Sequence, residues 1–180
     1  VADASASPAS ADRLVAALAR RRVALGSVLV IAALVLARPT WDSWRLGFGV
    51  AVIGELIRVW AAGHLEKSRE VTRSGPYRFT RHPLYVGSSV MALGIVIASR
   101  SAVLAVLATL YMVATIAAAI RAEESFLRRT FGDTYDRYRR SQAEPMTRRF
   151  SFERAMRNRE YRAVLGLLVG FALLALKAML

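Results

Sequence analysis

Long apolar runs divided by arginine-rich segments constrain this chain more than any other feature. Five runs stand out: Val23 to Ala37, Trp44 to Leu65, Leu84 to Ser99, Ala102 to Ile120 and Ala163 to Leu180. A helix needs about 20 predominantly apolar residues to cross the hydrocarbon core of a bilayer. Within that core, only segments that satisfy their own backbone hydrogen bonds are stable. With 55% of its 180 residues hydrophobic, the chain is expected to be an all-α integral membrane protein of about five transmembrane helices. The formal charge of +13 would suit nucleic acid, but the basic residues fall between the apolar runs and so point to the lipid bilayer and its anionic surface instead. No nucleic acid is expected as a partner. The absence of cysteine removes disulfides, thiolate metal sites and cysteine nucleophiles, and two histidines argue against a protein metal cage.

The arginines assign sides. Arg13, Arg20, Arg21 and Arg22 precede the first run; Lys67, Arg69, Arg73, Arg78 and Arg81 separate the second from the third; twelve arginines lie from Arg121 to Arg162. The opposite side would carry only Arg38, Arg45, Arg100 and Lys177. Cytoplasmic loops are enriched in Lys and Arg, which places the N-terminal segment, the 64–83 loop and the 121–162 segment in the cytoplasm. The expected location is a bacterial or archaeal inner or plasma membrane, crossed several times. Residues 1–12 read as a flexible tail. Residues 13–149 read as a core of four membrane helices with a cytoplasmic loop and an interfacial helix, and residues 150–180 as an extension carrying a fifth. The first run is short and basic-flanked, so a signal peptide is the alternative to a retained helix; Pro39 and the later runs favour retention. Arg100-Ser101 alone joins the third and fourth runs, which predicts a tight antiparallel hairpin.

That hairpin gives meaning to GPYRFTRHPLYVG, residues 75–87. It brings the loop before the third run and Glu123-Glu124, at the end of the fourth, to one depth on one side, where they can build a single cytoplasmic pocket. Pro83 suits the first turn of a helix and holds His82 extended, so the loop is stiff. Free N–H groups at that helix start, with Arg81 beside them, favour a carboxylate. Glu123 and Glu124 favour a cation, while Tyr77 and Tyr85 offer flat faces to a heteroaromatic ring. S-adenosylmethionine combines a carboxylate, an ammonium and an aromatic base, and so matches this inventory. The same residues also have plainer readings: interfacial tyrosines, topology arginines, a solvated helix extension, and loop histidines at His64 and His82.

GPYRFTRHPLYVG followed by RAEESFLRRTFGDTYDRYRR closely resembles the integral membrane methyltransferases of the isoprenylcysteine carboxyl methyltransferase family, with phospholipid methyltransferases as more distant relatives. The patterns RHPxYxG, EExxL and FGxxYxxY cover Gly75 to Tyr138, and Gly54 to His64 looks like the preceding helix. The resemblance implies that Arg81, His82, Pro83, Leu84, Tyr85, Gly87, Glu123 and Glu124 bind S-adenosylmethionine; Tyr77 joins them from the inventory above. It implies nothing comparable for residues 150–180, a departure from the family pattern whose role stays open. FGDTYDRYRR reads as an amphipathic interfacial helix, with Phe131, Tyr135 and Tyr138 on one side, closing over the pocket.

Arg58 is a charge inside an apolar run. Gly47, Ala51, Gly54 and Arg58 share one small-residue helix face on which another helix can pack closely, so Arg58 should face the bundle interior. Glu55 can pair with it, or Arg58 can steer an anionic substrate group toward the sulfonium. Ala108, Met112, Thr115, Ala119 and Ala122 form a slim face that suits helix packing or a lipid chain. Methyl transfer from a sulfonium mainly requires alignment and exclusion of water. A carboxylate acceptor needs no base; a phenol, enol or ammonium would, with His82 or a glutamate as candidates. The scarcity of such groups favours an acidic oxygen. The expected function is therefore S-adenosylmethionine-dependent methyl transfer to a small lipophilic acceptor, releasing S-adenosylhomocysteine, with Arg58, Glu55 and His82 as candidate catalytic residues. A lipid headgroup amine is the alternative acceptor. A non-catalytic membrane protein that binds lipid or a partner, or a basic membrane-surface adaptor, is the alternative function.

Overall fold

The computed structural model describes residue 26, residues 28–144 and residues 146–180. The expected tail at 1–12, the basic residues Arg13, Arg20, Arg21 and Arg22, and the start of the first apolar run lie outside the described residues. Helix α1 occupies 28–36, α2 Trp41–Ala62, α3 Pro83–Ser99, α4 Ala102–Arg139, α5 Phe152–Arg157 and α6 Tyr161–Met179, with a 3-10 turn at Gly75–Arg78. Local chemistry sets these boundaries. Thr40 and Ser43 form a reciprocal capping box at the start of α2. Pro83 opens α3, where its missing N–H leaves no bond unmade. Arg100 ends α3 in a left-handed conformation (φ 49°), and the Ser101 side chain accepts from Leu104 N to start α4. The predicted two-residue connection thus turns the chain back.

The tightest packing is between α2 and α3. A Cβ on Gly47 would lie 2.4 Å from the Gly94 carbonyl oxygen, and one on Gly54 would lie 2.7 Å from that of Gly87. Backbone meets backbone at two levels along this crossing, as small-residue faces allow. Helix α6 packs on the outer part of α2. Trp44 donates from Nε1 to the Phe171 carbonyl at 2.8 Å, and the Phe171 ring stands 5.2 Å from that of Phe48. Ala51, Ala98, Leu167, Phe171 and Leu174 form the buried centre. At the far end Lys177 donates to the carbonyls of Leu34 and Val35, satisfying acceptors in the last turn of α1.

The sequence predicts about five transmembrane helices; the structure corrects this. Among the described residues two helices, α4 and α6, are long and apolar enough to cross a membrane. Helix α2 has the length, but Asp42, Arg45, Glu55 and Arg58 interrupt its apolar character. Helix α3 is apolar but only 17 residues long. Hydropathy alone had merged these different cases. Val103, Val106, Leu110 and Val113 on α4, and Leu165, Leu168 and Leu176 on α6, are all more than half exposed. An apolar surface of this extent suits lipid and marks a membrane-associated protein. Non-helical geometry at Gly132 (φ 47°, ψ −121°) divides α4 into two helices, so the residues of FGDTYDRYRR after the kink form a helix of their own.

The crossing makes a paired prediction. Gly47→Ala should destabilise the protein by about 1–3 kcal/mol, because a backbone must shift to admit the methyl. Gly49→Ala, with no atom within 4 Å of its Cβ, should be neutral or stabilising by up to about 1 kcal/mol. Unfolding in detergent followed by circular dichroism measures both.

Candidate functional site

The turn between α3 and α4 brings the start of one helix beside the distal half of the other. His82 caps α3 and lies 3.5 Å through Nε2 from Glu124 Oε1 and 3.8 Å through Nδ1 from Glu123 Oε2. Arg81 Nη1 reaches the same Glu124 oxygen at 3.3 Å. The His82 ring is tilted against Tyr85, with centroids 5.8 Å apart. Tyr77 is buried, and its carbonyl accepts a 2.7 Å hydrogen bond from the Tyr138 hydroxyl. Burial, reinforced by the nearby Glu123 carboxylate, holds the Tyr77 phenol far above its ordinary pKa, so it stays neutral.

Arg58 projects from α2 into a set of partners that spans the chain. Its Nη1 donates to Ser88 Oγ at 2.5 Å, Nη2 lies 2.7 Å from Glu160 Oε1, and Nε lies 3.7 Å from Glu55 Oε2. Glu55 and Glu160 are each 5% exposed. Glu55 and Glu160 thus share one guanidinium. Part of the guanidinium that the sequence offers as an anion guide is thereby engaged by protein groups, while its Nε is buried with no hydrogen-bond partner among the described residues.

Residues 146–160 strap the end of α2 and the loop after it. Arg148 pairs with Glu70 at 2.6 Å, Arg154 with Glu66 at 2.7 Å and Arg157 with Glu66 at 3.1 Å. Asn158 Nδ2 donates to the carbonyls of Ala62 and Leu65, and Arg154 Nη1 to that of Gly63. Carbonyls that a helix end leaves without partners are therefore satisfied from the far end of the chain. His64 is a structural residue: its Nδ1 lies 3.1 Å from Ser74 Oγ, and its ring leaves no room for a Cβ on Gly75 (φ 57°). Burial, with Arg154 and Arg148 nearby, pulls the His64 pKa down. The hydrogen bond from Arg154 pulls Glu66 down despite its partial burial.

Two cavities meet in this region. The larger, about 510 Å³, is lined by the expected residues Arg58, Tyr77, Arg81, His82, Leu84, Tyr85 and Glu123. Glu66, Tyr135, Tyr138, Asn158 and Glu160, which the sequence reading had not singled out for the site or had assigned to an interfacial helix, line it as well. Four expected residues stand back from it. Pro83 is fully buried, Gly87 faces Gly54 and Arg58 in the helix crossing, Glu124 holds Arg81 and His82, and Glu55 pairs with Arg58. The second cavity, about 360 Å³, is apolar and runs between α1, α3 and α4, with Met91, Ile95, Leu104, Ala108 and Met112 among its walls. Arg58 lines both. A lone acid directly before the last apolar run was the one sequence signal for Glu160.

Comparison with known proteins places this architecture. The phospholipid methyltransferase family matches residues 22–134. The chain belongs to that family. A nickel-cobalt-cadmium resistance protein of Alcaligenes xylosoxydans xylosoxydans is 33% identical over 141 residues, covering 70% of this chain and 65% of that protein. A cobalt-zinc-cadmium resistance protein of Cupriavidus metallidurans is 33% identical over 142 residues, covering 70% and 64%. A probable protein-S-isoprenylcysteine O-methyltransferase of Oryza sativa subsp. indica is 32% identical over 110 residues, covering 54% and 58%. The chain thus spans less than two thirds of the length of these relatives. No solved structure gives a significant match. The family region contains the α3–α4 site and Arg58; the strap and Glu160 lie beyond it.

The strap generates a pH prediction. Glu66 is lowered on folding, so its contribution is complete above the ordinary value of 4.5 and is lost as pH falls through its folded pKa. His64, lowered from 6.5, acts in the same sense: its contribution is complete above 6.5 and is lost as acid protonates it in place. Acidification should therefore release residues 63–72 before the α2–α3 crossing. Hydrogen exchange of those amides at pH 7 and pH 4, with Arg154→Met as a control that loosens them at both, measures this.

Proposed function

We propose that this protein is an S-adenosylmethionine-dependent methyltransferase of the membrane, acting on a small lipophilic acceptor. The observation that carries the reading is the meeting of two unlike cavities at Arg58, one polar and flanked by the histidine-proline loop and the paired glutamates, the other apolar and set among helices. At about 510 Å³ the larger lies within the roughly 300–1,000 Å³ typical of small-molecule sites. Its residues fit the methyl donor chemically. Glu123 offers a partner to an ammonium, Tyr77 and Tyr85 offer faces to a purine, and buried His82 Nδ1 has no hydrogen-bond partner among the described residues. Arg81, Pro83, Leu84, Gly87 and Glu124 act around it as loop, crossing and second partner to His82. When bound, S-adenosylmethionine supplies a methyl group already activated on a sulfonium.

The chain's own part is to hold the donor, align the acceptor and exclude water. The neutral Tyr77 and the Tyr138 hydroxyl bond stiffen one wall. The apolar cavity admits an acceptor tail, and the arginine-rich segments keep the donor site on the cytoplasmic side. The resemblance to isoprenylcysteine carboxyl methyltransferases, and to the Oryza sativa relative named as a probable enzyme of that kind, supports this reading over a non-catalytic lipid-binding bundle.

Calorimetric titration of the detergent-purified chain with S-adenosylhomocysteine tests it. Wild type should bind saturably, and His82→Ala and Glu124→Ala should each weaken binding by about tenfold, or roughly 1.4 kcal/mol. No binding by folded wild type would sink the reading.

A further inference from the structure

Glu160 lies outside the region shared with the family, yet it lines the larger cavity and stands 2.7 Å from Arg58, the residue common to both cavities. The surroundings of that guanidinium are unusual in their hydrogen bonding. Both oxygens of Glu55, and Oε1 of Glu160, are buried without a hydrogen-bond partner among the described residues. The Glu160–Arg58 contact is a close ion pair that lacks hydrogen-bond geometry. Buried acceptors left in this state call for a donor. Against these three acceptor oxygens stands one buried donor of the same cluster without a hydrogen-bond partner among the described residues, Arg58 Nε, so the junction favours an arriving group that can donate a proton.

We propose that the acceptor presents a neutral hydroxyl of the phenol or enol class at this junction, and that Glu160 accepts its proton. The inference rests on the methyl-transfer reading above and specifies its acceptor. The step balances: the hydroxyl proton passes to the Glu160 carboxylate, the acceptor oxygen forms a bond to the methyl carbon, and the carbon–sulfur bond breaks with its electron pair left on sulfur. Arg58, braced by Ser88 on the opposite side, holds Glu160 in place. The strap aims the carboxylate, because Asn158, two residues before it, is fastened to the Ala62 and Leu65 carbonyls. The acceptor's tail occupies the apolar cavity of about 360 Å³, which suits part of a single chain or ring system. A carboxylate head has no proton to give the acceptor oxygens at this junction.

The test uses the full chain in detergent with three probes: para-dodecylphenol, N-acetyl-S-farnesylcysteine and phosphatidylethanolamine. Methyl transfer from S-adenosylmethionine should favour the phenol over the other two by at least about tenfold. Glu160→Gln, in protein that circular dichroism shows to be folded, should lower kcat on the phenol by about 100-fold, and Glu160→Asp should restore part of the rate. Faster transfer to the carboxylate or the amine overturns the proposal. So does wild-type kcat in Glu160→Gln, or no transfer to the phenol by a protein that binds S-adenosylhomocysteine. Should Glu160→Gln fail to fold, the three-probe comparison on wild type decides. A wild type that does not bind S-adenosylhomocysteine removes the methyltransferase reading itself.

Discussion

The contact on which the rest depends is the crossing of α2 and α3, where glycines let two backbones touch. Gly47 against Gly94 and Gly54 against Gly87 leave no room for even one added carbon. Because the crossing is so close, the side chain of Arg58 on α2 lies against Gly87 of α3 and can reach Ser88. The start of α3 is fixed by the same contact, and with it His82 and Pro83. Helix α4 then needs only a two-residue turn to carry Glu123 and Glu124 back to that level. A larger residue anywhere along the crossing would move the site's two halves apart before it disturbed any group that does chemistry.

The second element of order is electrostatic and comes from the far end of the chain. Helix α2 ends at a loop that would leave its carbonyls open. Arg148, Arg154, Arg157 and Asn158 close it, tying Glu66, Glu70 and four loop carbonyls to the strap. Surface ion pairs contribute little individually, but these are partly buried, share partners and hold backbone acceptors, so they act as one unit. Breaking the buried Arg58–Glu160 pair by removing one side would leave an uncompensated charge, a change of about 3–5 kcal/mol. The fold and the cavity floor are therefore not separable at this point.

The sequence made some of this legible and hid the rest for physical reasons. The meeting of His82 with Glu123 and Glu124 could be foreseen, since a two-residue connection between helices permits little else. The small face carrying Gly47, Ala51, Gly54 and Arg58 was equally readable, because helical periodicity is a local property. The number of membrane spans was misjudged at α2 and α3, where apolar content says nothing of interrupting charges or of length left over after the caps. Gly87 read as a ligand contact, but its lack of a side chain serves the helix crossing. Arg58's main partner was hidden too. Glu55 stood nearby in sequence, whereas Glu160 reaches it through the strap at Asn158 and the docking of α6 through Phe171 on Trp44 and Phe48, and no local pattern encodes either contact.

Charge distribution joins these elements into one argument. The chain carries a large basic excess, yet at the junction of its two cavities two buried carboxyl groups share one guanidinium. Basic surface is inexpensive, because solvent and lipid headgroups screen it. Buried carboxylates are not, and they persist only where partners or a task offset their desolvation. Arg58 offsets part of that cost for both. Acceptor oxygens that remain buried without partners beside it line up with a cavity wall rather than with the packed interior, so what they lack can come from a molecule that enters. The strap that positions Glu160 lets the part of the chain beyond the family region shape the cavity within it.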